Sequence, residues 1–197
     1  LRNSSAASDV YKRQVMGFHG FAGDQVDFSG GTLLPGLIDC HVHLIYGGEG
    51  DPKSKVSGSK PGDLVMRALN RAQESLRAGI TSLRDLGGKD FLEFAVRDAC
   101  NSGRQLGPTI LAAGQMICMT GGHGNAFGRV ADGPHEVIKA VREQVHAGSD
   151  VIKIMATGGV MTPGVNPEDA HYSLEELTMG IHEGHRFNKT CATVSYT

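Results

Sequence analysis

The feature that most constrains this chain is a rhythm that repeats along its interior. Short apolar runs of β type end in glycine-rich or polar turns, and each is followed by an amphipathic stretch with apolar residues three or four apart. Strands alternating with helices in this way call for a parallel sheet in an α/β fold. Strands are expected at residues 32–38, 79–85, 109–113, 150–155 and 190–193. Helices are expected at 62–78, 91–102, 134–147 and 173–188. In the first helix Val65, Leu69, Ala72 and Leu76 share a face. In the third, Val137, Ile138, Val141 and Val145 do. Ser173-Leu-Glu-Glu176 has the S-x-x-E form of a capping box and opens the last helix. Long loops follow the first, third and fourth strands. In a parallel barrel such loops gather at the C-terminal face, where active sites are built.

Composition narrows the function classes. Of 197 residues, 40% are hydrophobic and 20% charged, an ordinary globular balance. The formal charge of −2 provides no electrostatic reason to expect nucleic acid or an anionic membrane as a partner. No run reaches the ~18 apolar residues of a membrane span, and no secretory signal is visible. Cys40, Cys100, Cys118 and Cys191 form no C-x-x-C pair and read as reduced thiols, which favours a cytoplasmic setting. No G-x-G-x-x-G or G-x-x-x-x-G-K-[ST] phosphate loop is present. Residues 1–14 are polar and aperiodic and resemble translated adapter sequence, as do residues 194–197. We expect both to be non-native, or a disordered leader and a frayed end.

Three groups of residues carry chemistry. His41 and His43, two apart at the end of the first strand, can turn both imidazoles to one side and hold one metal ion. Two unliganded strand histidines are the bland alternative. Lys153 sits inside Val151-Ile-Lys-Ile-Met155, a strand expected to be buried on both faces, where an ammonium is costly unless paired or chemically altered. A lysine whose head reaches solvent is the ordinary alternative. His123, flanked by glycines in Gly121-Gly-His-Gly124, can approach a ligand closely and is a candidate substrate or transition-state contact. Arg84-Asp85 ends the second strand and reads as a structural ion pair. His135, His146, His182 and His185 lie on helices and should face outward. His171 precedes a helix and is not counted in the site.

Taken together, Pro35-Gly-Leu-Ile-Asp-Cys-His-Val-His43, Gly79-Ile-Thr-Ser-Leu-Arg-Asp-Leu-Gly-Gly88, Met119-Thr-Gly-Gly-His-Gly124 and Asp150-Val-Ile-Lys-Ile-Met-Ala-Thr-Gly-Gly159 resemble the amidohydrolase superfamily. The resemblance covers residues 26–192 and leans toward the branch of imidazolonepropionase-like enzymes and metal-dependent Xaa-Pro dipeptidases. It implies a partial (β/α)8 TIM barrel, about the first five βα units (residues 35–193), preceded by a remnant of an N-terminal β-sandwich (15–34). It implies hydrolysis of an amide, cyclic amide or dipeptide bond by a metal-activated hydroxide. Two zinc ions, or manganese or iron, would be held by His41, His43 and a carbamate formed from Lys153 and carbon dioxide. The partner would be a small molecule or dipeptide, with a homo-oligomer open for the intact parent.

The family's histidine ligands after strands five and six and its aspartate after strand eight have no counterpart here. The chain therefore reads as a fragment, expected to be poorly soluble or inactive alone. The rival class is a barrel of the same ancestry that has lost its chemistry and serves as a structural or assembly subunit. Within enzymes, deaminases and phosphotriester hydrolases are the other options, and Lys153 argues against the deaminases, which use one metal without a lysine bridge.

Overall fold

The computed structural model describes residues 8–9, 14–15, 30–47 and 52–194. The chain divides into two compact units, Leu1–Pro35 and Gly36–Thr197. In the first, β1 (Ser8–Asp9) pairs antiparallel with β2 (Gln14–Val15). Residues 30–36 carry no strand, so the first strand begins five residues later than the 32–38 run suggested. Most of the expected leader (1–14), most of the expected sandwich remnant (15–34) and residues 195–197 of the expected tail lie outside the described residues.

The second unit runs β3 (Leu37–Val42), α1 (Pro52–Ser57), α2 (Pro61–Arg77), β4 (Ile80–Asp85), α3 (Leu92–Asn101), β5 (Thr109–Ala112), β6 (Ile117–Cys118), β7 (Arg129–Val130), α4 (Gly133–Ala147), β8 (Val151–Met155), α5 (Leu174–Arg186) and β9 (Thr190–Val194). Every strand pair in it is parallel, in the orders β3-β4-β5 and β7-β6-β8-β9. The expected third strand continues past Ala112, but Gly114 (φ 77°) turns the backbone, so that β5 pairs with β4 and β6 with β8. Asp150 bridges the gap between the two sheets. Its N–H donates to Ala112 O at 2.9 Å and its Oδ2 accepts from Ala112 N–H at 3.0 Å.

The helices form where spacing and end signals agree. Pro61 occupies the first turn of α2, where a missing N–H costs nothing. Its buried face is Leu64, Ala68 and Ala72, one residue around from the stripe anticipated. α4 stops at Gly148, whose φ of 97° suits glycine. The α5 capping box is complete: Ser173 N–H donates to Glu176 Oε2 at 2.8 Å, and Glu176 N–H donates to Ser173 Oγ at 3.3 Å.

Two apolar clusters fill the helix-covered faces. One joins Leu44, Ile45, Leu64, Ala68, Leu83, Val96 and Ile110. The other joins Ile117, Val137, Val141, Ile152, Ile154 and Tyr172. Burying each large aliphatic side chain contributes about 1.5–3 kcal/mol. Among the described residues no helix is long and apolar enough to cross a membrane.

Candidate functional site

The faces of β4 and β8 decide what meets at their C-terminal ends. Ile152 and Ile154 pack under the helices, so Val151, Lys153 and Met155 point to the opposite face. Leu83 likewise packs under the helices, and Arg84 takes the other side. Adjacent strand residues cannot pair across the sheet, and the expected Arg84–Asp85 ion pair does not form. Arg84 Nε instead donates to Cys40 O at 2.9 Å. Asp85 is fully buried and accepts Leu44 N–H at 2.7 Å and Gly87 N–H at 2.9 Å.

His41 and His43 are brought together, though not by simple alternation. The β3–β4 register slips between Asp39, which pairs with Leu83, and Val42, which pairs with Asp85. His41 N–H folds back onto Asp39 Oδ1 at 3.0 Å. His43 lies one residue beyond the strand. The two rings still meet edge to face, with centroids 5.3 Å apart. His43 Nδ1 lies 2.8 Å from Gly87 O. A carbonyl only accepts, so Nδ1 carries the proton and Nε2 keeps a free lone pair. Burial lowers the His43 pKa to about 4, with His41, Lys153 and His123 adding to the shift, so the ring is neutral at pH 7.

Lys153 is 1% exposed, and its Nζ has no hydrogen-bond partner among the described residues. Burial first, and Arg84 second, lower its pKa to about 8. The same ammonium depresses His41, where burial is the larger cause, as well as His43 and His123. All four groups therefore share one electrostatic site. Such a set can bind an electrophile or a cation. The His41 ring, the Nε2 of His43 and an amine that is neutral in part are Lewis bases.

His123 lines this site on the loop after β6. Its Nδ1 is 2.8 Å from Thr162 Oγ1, and its ring packs so closely on Gly159 that an added Cβ would sit 2.4 Å from Nε2. His171, set aside on sequence grounds, is buried and accepts the His123 N–H on Nδ1 at 3.4 Å. The separation of 48 residues is why no local pattern announced it. His135, His146, His182 and His185 are exposed on helices, as anticipated.

A cavity of about 300 Å³ opens beside His43 and His123 and is walled by Tyr46, Met116, Phe127, Met155 and Met161. Methionines and aromatics scattered over four loops and the end of β8 have no sequence period, so this wall was invisible before folding. Among the described residues no three His, Cys, Asp or Glu side chains cluster as a metal site would require. His41 and His43 supply two such donors, and Lys153 is of a different type.

Comparison with known proteins agrees with this architecture. The amidohydrolase family model matches residues 32–193. Ochratoxinase of Aspergillus niger is 34% identical over 186 residues, covering 80% of this chain and 38% of that protein. A crystal structure of an amidohydrolase superposes with a TM-score of 0.81 at 30% identity, covering 93% of this chain and 48% of that one. A Xaa-Pro dipeptidase with bound methionine in its active site superposes with a TM-score of 0.74 at 30% identity, covering 82% and 43%. The chain thus spans less than half the length of each of these relatives. With its parallel α/β build, its histidine pair and its buried lysine, the chain belongs to the amidohydrolase family.

Proposed function

We propose that this chain forms part of a hydrolase acting on a carbon–nitrogen bond of an amide, cyclic amide or dipeptide, and that its five βα units are the first part of an eightfold barrel. The observation that carries the reading is the buried Nζ of Lys153, which has no partner among the described residues and acts electrostatically on His41 and His43. An orphaned buried amine is costly, and conversion to a carbamate removes the cost by replacing it with an anion that a cation can pair with.

His41, His43 and carboxylated Lys153 fit a divalent metal site in part: the donor types suit zinc, manganese or iron, and further ligands would complete it. When bound, such ions supply Lewis acidity toward a scissile carbonyl and make water acidic. The chain's own residues do the rest. The neutral Lys153 amine attacks carbon dioxide, forming one C–N bond and losing a proton to solvent. His43 presents Nε2 because Nδ1 is committed to Gly87 O. In the tautomer whose Nδ1 accepts from Thr162 Oγ1, 2.8 Å away, His123 offers Nε2–H to a developing oxyanion.

The cavity beside these groups, walled by Met116, Met155, Met161, Tyr46 and Phe127, suits an apolar substituent next to the scissile bond. The substrate in this reading is a small molecule or dipeptide, as the names of ochratoxinase and the Xaa-Pro dipeptidase among the relatives suggest. The test is ¹³C NMR of the chain with labelled bicarbonate and Zn²⁺. A carbamate resonance that is lost in Lys153→Ala supports the proposal. Stoichiometric zinc binding by Lys153→Ala, or no carbamate in the unaltered chain, overturns it.

A further inference from the structure

We infer that Asp85 is a positioning residue that fixes the tautomer and direction of the His43 imidazole. This inference rests on the reading of His43 as a metal ligand only for its purpose, not for its geometry. The two carboxylate oxygens of Asp85 do separate jobs. Oδ2 accepts from Leu44 N–H at 2.7 Å, holding the residue directly after His43. Oδ1 accepts from Gly87 N–H at 2.9 Å. Gly87 is the residue whose carbonyl takes the His43 Nδ1 proton at 2.8 Å. One carboxylate thus grips the backbone beside the imidazole and the residue whose carbonyl the imidazole donates to.

The local chain is built for this grip. The bond from Asp85 to an N–H two residues on is an Asx-turn. It requires an unusual backbone at its end: Gly87 has φ 143°, and a Cβ there would lie 2.7 Å from Met116 Cε. Leu86 N–H donates to Val42 O at 2.9 Å, so residues 85–87 bind the end of β3 on both sides of His43. Asp85 is 0% exposed, and burial raises its pKa while the two backbone donors oppose that rise. A buried carboxyl that faces two amides, and no cation among the described residues, is a poor stabiliser in itself. Its value lies in what it aligns. Groups that orient a histidine ligand typically change metal affinity by about 10–100-fold when removed.

The variant that separates alignment from folding is Asp85→Asn. It keeps shape and volume but leaves one acceptor oxygen for two donors and sets an NH₂ against the remaining N–H. The readout is the metal-free tautomer of His43, from side-chain ¹⁵N shifts of the 197-residue chain at neutral pH. The expected result is a single Nδ1–H form in the unaltered chain and a mixture of tautomers in Asp85→Asn, with Zn²⁺ affinity about tenfold weaker or more.

An Nε2–H form in the unaltered chain would overturn the inference without recourse to any variant, which covers the case in which Asp85→Asn does not fold. A folded Asp85→Asn with His43 still wholly Nδ1–H would overturn it too. His43→Ala keeps the metal reading separate. If His43→Ala binds Zn²⁺ as tightly as the unaltered chain, His43 is not a ligand, while the tautomer result still decides the role of Asp85.

Discussion

Replacing Lys153 with methionine should make the protein more stable, and the size of the gain follows from the burial of the amine. Its pKa falls from 10.5 to about 8, with desolvation as the main cause. At 1.36 kcal/mol per unit, keeping the charged form in the fold costs about 3 kcal/mol. Methionine has a similar shape and needs no partner, so most of this cost should be recovered at pH 7. For a domain of this size that corresponds to a rise in Tm of roughly 6–12 °C.

The pH dependence is the sharper check. The folded-state pKa is depressed, so the unfolded chain binds the proton more tightly between pH 8 and 10.5. The unaltered protein therefore gains stability as pH rises through that window, and the advantage of Lys153→Met shrinks toward zero. Urea denaturation at pH 7 and pH 10 in carbon dioxide-free buffer measures both quantities. A methionine variant that is less stable at pH 7, or an advantage that does not change with pH, would refute the reasoning.

Three further perturbations follow from the geometry. Glu93 is fully buried, neither of its oxygens has a partner among the described residues, and burial with Asp85 beside it raises its pKa. The folded state thus holds a proton that the unfolded state releases, and stability should decline as pH rises above about 4.5; Glu93→Gln should flatten that decline in thermal melts from pH 4 to 8. Gly159→Ala places a methyl 2.4 Å from the His123 ring, so the bond to Thr162 should break, visible as a shift of the His123 side-chain ¹⁵N resonances with a loss of about 1 kcal/mol in urea. Asp150→Ala removes the acceptor shared by Arg97 Nη1 and Ala112 N–H, each at 3.0 Å. A loss of about 2–3 kcal/mol is expected by denaturation, and a change below about 0.5 kcal/mol would show that these bonds are matched by water when unfolded.

The strand–helix alternation was legible because it depends on local periods: β4, β8, α2, α4 and α5 lie within a residue or two of where apolar spacing and end signals put them. The first strand was displaced because Pro35-Gly36 interrupts an apolar run whose early half carries no strand. The short α1, β6 and β7 were missed because two to six residues carry no period. Within the candidate site, His41, His43, Lys153 and His123 could be named from residue type and place in a strand or loop. Asp85 was misassigned for want of its partners. The Asp-x-Gly spacing at residues 85–87 contains the Asx-turn signal, but only folding shows that Gly87 faces His43. The methionine and aromatic wall and the His171 contact depend on loops meeting in space, and pairings at such separations leave no mark in one sequence.

The two larger apolar clusters are separate, one under the strands that lead to the histidine pair and the other under the strand that carries the lysine. His41 and His43 ride on the leaf built from β3, β4 and β5 with α2 and α3, whereas Lys153 and His123 ride on the leaf of β6 and β8 with α4 and α5. Between the leaves the spine combines an apolar cluster of Leu86 and Ala113 with Val151 and Ala192 and a stitching of Asp150, Arg97 and Ser149 to backbone atoms at Ala112, Gly148 and Ala113. Anything grasped by residues from both leaves works as a clasp opposite that spine. Hydrogen exchange should then find two protection levels in the bare chain, merging into one when the clasp is closed.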